Sequence, residues 1–188
     1  LGKTLATLES DWPQLRAGWF SRFHEELAPS ASEMAAFADQ YLRLTHSRNP
    51  PTVALALEAL RMLLQAGAIS TPALLPALEP VFYATAKAHV TAGLKLLQAA
   101  CTKDPALAPQ AATILQPALL HSAVDVQAAV LKALALWGLD DAQRESVKSY
   151  ANAIAQTHRA AFSALTGSDA TASRSSQHKQ MPPPAAGP

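Results

Sequence analysis

An all-α fold is predicted for this chain on two grounds, its composition and a leucine pattern that recurs every 37 residues. Apolar residues make up 49% of its 188 residues but aromatics only 6%, and Ala and Leu dominate where strands would call for Val, Ile, Thr and aromatic side chains. The segments "ALEALRMLLQ" from Ala56, "GLKLLQAACT" from Gly93 and "VLKALALWGL" from Val130 start 37 residues apart. In that register Leu57, Leu94 and Leu131 coincide, as do Leu60, Leu97 and Leu134, while Glu58, Lys95 and Lys132 share a polar column. Leucines three apart lie on one face of a helix.

The same offset holds upstream, where Pro72 aligns with Pro109, Leu78 with Leu115 and Pro80 with Pro117. Each unit therefore holds a proline-containing first helix, a short turn and a more regular second helix, with units near 32–66, 69–102 and 105–139. Two short amphipathic helices cannot hide their apolar faces alone, so successive units are expected to stack as a right-handed α-solenoid around one core.

Local signals mark the element ends. Thr71 before Pro72 and Asp104 before Pro105 read as N-caps followed by proline in the first turn, where its missing N–H costs nothing. The pair Pro50-Pro51 separates the helices of the first unit, and Gly67 reads as a C-terminal cap. Pro76, Pro80 and Pro117 stand further inside the first helices, so a bend is expected there.

Before the units, residues 1–31 form an aromatic-rich helical cap in which Leu15, Trp19, Phe23 and Leu27 recur every fourth residue, with Asp11 as a possible N-cap. The stripe reads either as a docking surface or as cover for the exposed end of the first unit, and cover is the preferred reading. After the units, 141–165 reads as one long closing helix, so the repeats and this helix together span 32–166. From Gly167 the chain turns to "GSDATASRSSQHKQMPPPAAGP", which lacks periodic apolar residues and reads as a disordered linker or tail over 167–188.

With the units drawn, the sequence resembles HEAT repeats, two-helix units of about 40 residues that build α-solenoids. "LLPAL" at 74–78 is similar to the proline-containing first helix of that repeat, and "DVQAAVLKAL" at 125–134 looks like the opening and small-residue face of its second helix. Gln127 stands where the family usually has a basic residue, and the first two units lack the Asp-Val pair. The "HSAVDVQAAVLKALALWG" segment in its Ala-rich setting also resembles large bacterial HEAT-like proteins of unassigned function. That resemblance implies a scaffold that grips another protein, carries over no catalytic residue or cofactor, and fits a chain starting at Leu1 as a piece of a longer molecule.

The residues offer little chemistry to set beside that. Fifteen basic and fourteen acidic side chains leave a net charge of +1, with no long-range field toward nucleic acid or membrane. A single cysteine, Cys101, excludes an internal disulfide and suits a reducing, cytoplasmic setting as a buried thiol. No apolar run approaches the roughly 18–20 residues of a membrane span. The six histidines form no ligand spacing, Asp125 near His121 reads as a helix cap, and no nucleophile elbow or phosphate-cradling loop is present. The chain is expected not to be an enzyme, and no metal or cofactor is expected.

The surface expected to meet a partner is the exposed face of the second helices, with Glu58, Arg61, Lys95, Gln98 and Lys132 as candidate contacts; the same residues also suit a merely solvated face. Nucleic-acid binding is the alternative, weakened by seven basic residues balancing seven acidic ones across 32–140. A regulatory region of an enzyme catalytic elsewhere is the other. Composition does not address oligomeric state.

Overall fold

The computed structural model describes residues 1–10 and 12–167. Among the described residues the chain consists of eleven α-helices and five 3₁₀ segments, with no strand. Helices α1 (Gly2–Leu8) and α2 (Gln14–Glu26) lead into α3 (Ala31–Ala35), α4 (Ala38–Leu44) and α5 (Pro50–Gln65). Next come α6 (Thr71–Leu78), a 3₁₀ segment (Glu79–Tyr83) and α7 (Lys87–Lys103). A 3₁₀ turn (Pro105–Leu107), α8 (Ala108–Leu115), a 3₁₀ segment (Gln116–Leu120) and α9 (Val124–Trp137) follow. The described chain closes with α10 (Asp141–Lys148), 3₁₀ turns at Ala151–Ala153 and Gln156–His158, and α11 (Arg159–Thr166).

The 37-residue offset of the sequence is also an offset of structure. Helices α5, α7 and α9 start directly after Asn49, Ala86 and Ala123, three extended residues in that same register. Leu57, Leu94 and Leu131 are all buried, and Leu60, Leu97 and Leu134 are fully so. Helix α2 packs on α5, α5 on α7, α7 on α9 and α9 on α11, while α1 meets α4, α4 meets α6 and α6 meets α8. One apolar cluster runs through these layers from Leu5 to Phe162. No helix among the described residues is long and apolar enough to cross a membrane.

The prolines act where the register places them. Helix α6 contains Pro76 but ends at Leu78, and the chain continues as a 3₁₀ segment whose first turn holds Pro80; α8 ends in the same way before Pro117. A proline at that point would clash with the carbonyl four residues back in a continuing α-helix, whereas the tighter turn needs no such bond. The switch buries Val81 and Phe82 in one pair and Ala118 and Leu119 in the next.

Three caps need individual statement. Asp104 accepts the Ala106 N–H at 3.2 Å, as its position suggested. Thr71 lies inside α6, and extended Ser70 takes the N-cap position instead. Gly67, with φ +69°, closes α5: its N–H reaches the Leu64 carbonyl and the Ala68 N–H reaches that of Leu63, bonds that require the left-handed conformation glycine adopts without strain.

Two larger expectations also fail. The closing segment is not one helix, because the side chain of buried Gln127 draws its backbone out of helical geometry. The Gln127 amide nitrogen donates toward the carbonyls of Leu119, His121 and Ala153 at 3.0, 3.1 and 2.9 Å. Its oxygen accepts the Ala155 N–H at 2.9 Å. Helix α10, opened by a capping box of Asp140 with Gln143, thus gives way to 3₁₀ turns and α11, repeating the helix, 3₁₀, helix order of the two preceding pairs.

The aromatic stripe of α2 does not face the core either. Leu15 is 85% exposed and Trp19 53%, with Phe23 and Leu27 also exposed, while Ala17, Ser21 and His24 are buried. Small residues decide this, since Ala17 and Ser21 let α2 approach α5 closely and bring Ser21 Oγ to 3.5 Å from Thr52 Oγ1. His24 Nε2 then meets the buried Tyr41 hydroxyl at 2.7 Å, and burial pushes the Tyr41 phenol up to about 12. Outside, Trp19 and Phe23 stack on each other with centroids 5.4 Å apart. The cap proposed at Asp11 and the tail beyond Gly167 lie outside the described residues.

Replacing Gln127 by Leu is expected to lower unfolding free energy by about 2–4 kcal/mol, the cost of leaving several buried backbone groups unpaired. Urea titration of Gln127→Leu, with exposed Lys132→Gln on the same helix as a near-neutral control, measures it. A second expectation concerns pH. Burial, and secondarily the charge of the N-terminus, holds His24 below the ordinary imidazole range, so the unfolded chain binds the extra proton. Its contribution to stability is present above about pH 6.5 and is lost as pH falls below that toward the lowered value of the folded state. Thermal midpoints should fall from pH 7.5 to 5 by less in His24→Gln than in wild type, with half-buried His89, lowered in the same direction, supplying a further part.

Candidate functional site

Helices α5 and α7 lie side by side and leave an open groove of about 940 Å³ between them. Its floor is apolar because each helix turns a stripe of small and branched side chains to it. Ala54, Leu57 and Leu64 come from α5, and Ala88, Ala92, Leu96 and Ala99 from α7. The leucines are buried in the core below, while the alanines keep the space above them open.

Charged side chains stand along the rim. On α5, Arg61 donates to Glu58 at 2.9 and 2.5 Å and to Gln65 Oε1 at 2.8 Å. That bond holds the Glu58 carboxyl below its ordinary value and raises the Arg61 guanidinium. On α7 the rim is Lys87, Lys95 and Lys103. Lys87 pairs with Asp125 of α9 at 2.5 Å, which holds that carboxyl below its usual range, chiefly through the hydrogen bond from Lys87. The Lys103 ammonium donates to the Leu64 carbonyl near the end of α5. Lys95, exposed at mid-helix, has neither ion pair nor hydrogen bond to another side chain among the described residues.

Three of the five residues singled out from sequence, Glu58, Arg61 and Lys95, line this groove. Gln98 is half-buried and does not line it, being rotated around α7 from Lys95. Lys132 is exposed on α9, one helix further along. Sequence reading missed Lys87, Lys103 and the alanine stripe. The available signal was the helical phase of α7: at about 3.6 residues per turn Ala88, Ala92 and Ala99 share one face, and Lys95 and Lys103 flank it on either side.

Assembly also changes what the charge balance meant. Of the seven basic and seven acidic residues across 32–140, Arg61, Lys87, Lys95 and Lys103 line the groove against Glu58 alone. With Arg61 answered by Glu58 and Lys87 by Asp125 of α9, a chain neutral on average keeps a positive excess there at Lys95 and Lys103.

The remaining chemical candidates have structural partners. His121 Nδ1 accepts the Ala123 N–H at 3.0 Å and its Nε2–H donates to the Thr85 carbonyl at 3.1 Å, tying the loops of successive pairs together. Asp125 is not the N-cap of α9, a position that Ala123 holds; it stands in the first turn, paired to Lys87. Cys101 is buried, and that burial, then Asp104, pushes its thiol up. Among the described residues no three His, Cys, Asp or Glu side chains converge.

Residues 1–88 match a family described as a domain of unknown function, DUF6493. The match takes in α1 through α6 and the first two residues of α7, hence the α5 wall of the groove but not Lys95 or Lys103. No curated protein and no solved structure matches the chain.

Because Lys95 is exposed and unpaired, Lys95→Glu should change stability by less than about 0.5 kcal/mol. Leu96→Ala, one residue on and buried at 3% exposure, should cost about 2–4 kcal/mol. Chemical denaturation followed by circular dichroism of the two variants checks the contrast.

Proposed function

We propose that this chain is a segment of a HEAT-like α-solenoid that binds another protein through the groove between α5 and α7, without catalysis of its own. The observation that carries the reading is the groove itself, an apolar floor of about 940 Å³ rimmed by charged side chains and formed between second helices of successive pairs. The leucines at its base are already covered, but Ala54, Ala88 and Ala99 above them are exposed, and an open apolar trough of this size suits an occupant supplied from outside. The succession of contacts along both rows of helices supports the solenoid part of the reading, since a stack grows by each pair covering the last. A place within a larger cytoplasmic bacterial protein belongs to the same reading, and the single buried Cys101 thiol suits its reducing-compartment part.

Ala99 lines the groove from an exposed position, so Ala99→Trp fills the trough without entering the core. Peptides selected by display on the full 188-residue chain are expected to lose about tenfold or more in affinity on Ala99→Trp, read by fluorescence anisotropy. Selected peptides that bind both proteins equally would remove the groove from the account.

A further inference from the structure

Resting on the groove reading above, we propose that the occupant is an amphipathic α-helix with an acidic edge, laid along α7 so that a carboxylate meets Lys95.

Three features of the groove lead there. The first is the asymmetry of its rim. On α5, Glu58 and Arg61 neutralise each other through two short hydrogen bonds. The α7 side carries Lys87, Lys95 and Lys103 and no carboxylate of its own. Asp125 answers Lys87 from α9 and a backbone carbonyl answers Lys103, but Lys95 stands between them with nothing to meet. A partner with negative charge on one edge satisfies Lys95 directly and adds to the field of the other two. One with negative charge on both edges would set a carboxylate against Glu58.

The second is spacing. Lysines eight residues apart on α7 stand about 12 Å apart along the helix axis. Eight residues also turn the helix by about 80°, so the three lysines fan around α7, Lys87 toward Asp125 of α9 and Lys103 toward the end of α5, and of the three it is Lys95 that the acidic edge of a partner meets. The groove walls, 16 and 17 residues long, accommodate about four to five turns of such a helix.

The third is the state of the backbone. Both walls are α-helices whose N–H and C=O groups are satisfied internally through their central turns. An extended peptide would set its own backbone on Leu and Ala side chains that offer no hydrogen bond, at a cost for each unpaired group. A helix satisfies its backbone before it arrives and presents only side chains, the helix-in-groove mode of recognition. The same floor disfavours a nucleic-acid strand, whose phosphates gain from the lysines but lose hydration against the apolar surface.

The test uses fluorescence anisotropy on the full chain with four probes. These are an 18-residue helical peptide with an apolar stripe and one glutamate edge, the same peptide with lysines on that edge, the glutamate peptide with its stripe scrambled, and a single-stranded oligonucleotide of matching charge. The glutamate peptide should bind about tenfold tighter than the other three, weaken as salt rises, and lose about tenfold on either Lys95→Glu or Ala99→Trp. Lys95→Glu should also narrow or invert the preference between glutamate and lysine peptides. If the lysine peptide or the oligonucleotide binds best and Ala99→Trp still removes it, the acidic helix is wrong and the groove stands. Binding of every probe unchanged by Ala99→Trp would overturn both.

Discussion

Every helix pair in this chain depends on the next one to cover its leucines. Helices of 5 to 17 residues are marginal alone, and here Leu57, Leu60, Leu94, Leu97, Leu131 and Leu134 are kept dry by neighbouring helices. Association between layers therefore does what length does in a large single core. It also places α5 and α7 side by side at a separation set by their side chains, which leaves a groove. Leu57, Leu64 and Leu96 fill the base of the space between α5 and α7, and above them Ala88, Ala92 and Ala99 leave it open.

Two polar side chains adjust this scheme at its ends. Gln127 occupies the register position that Val53 and Val90 hold in the earlier second helices. Instead of packing, it binds backbone groups of the preceding loop and of the segment after α10. A buried amide serves only if its hydrogen-bonding groups are used, and the neighbouring chain bends to use them. At the other end, His24 and Tyr41 pair in the interior, so α2 turns its small and polar face inward and leaves Trp19 and Phe23 outside. In both places hydrogen-bond satisfaction prevailed over hydrophobic periodicity.

Much of the architecture was legible because its cause is local and repeated. The leucine register, the prolines at Pro80 and Pro117, Gly67 after α5 and Asp104 before Pro105 each act within a few residues of themselves. The candidate site was legible in part. Glu58, Arg61 and Lys95 stood out as a polar column on helices of known phase, while Gln98 and Lys132 shared the helices but not the groove. A column in an alignment assigns a helix face; it does not specify which neighbouring helix faces it.

What the sequence determined by itself was therefore the helical class, the 37-residue offset and the residues that form the core, since these follow from backbone preference and from apolar side chains repeating at fixed phase. Tertiary structure alone decided that the aromatic stripe of α2 faces outward, that the closing segment breaks after α10, and that four basic residues from a balanced set line a single groove. Each of those outcomes is a competition between groups distant along the chain, settled by packing distance and hydrogen-bond geometry. No window of neighbouring residues contains those quantities.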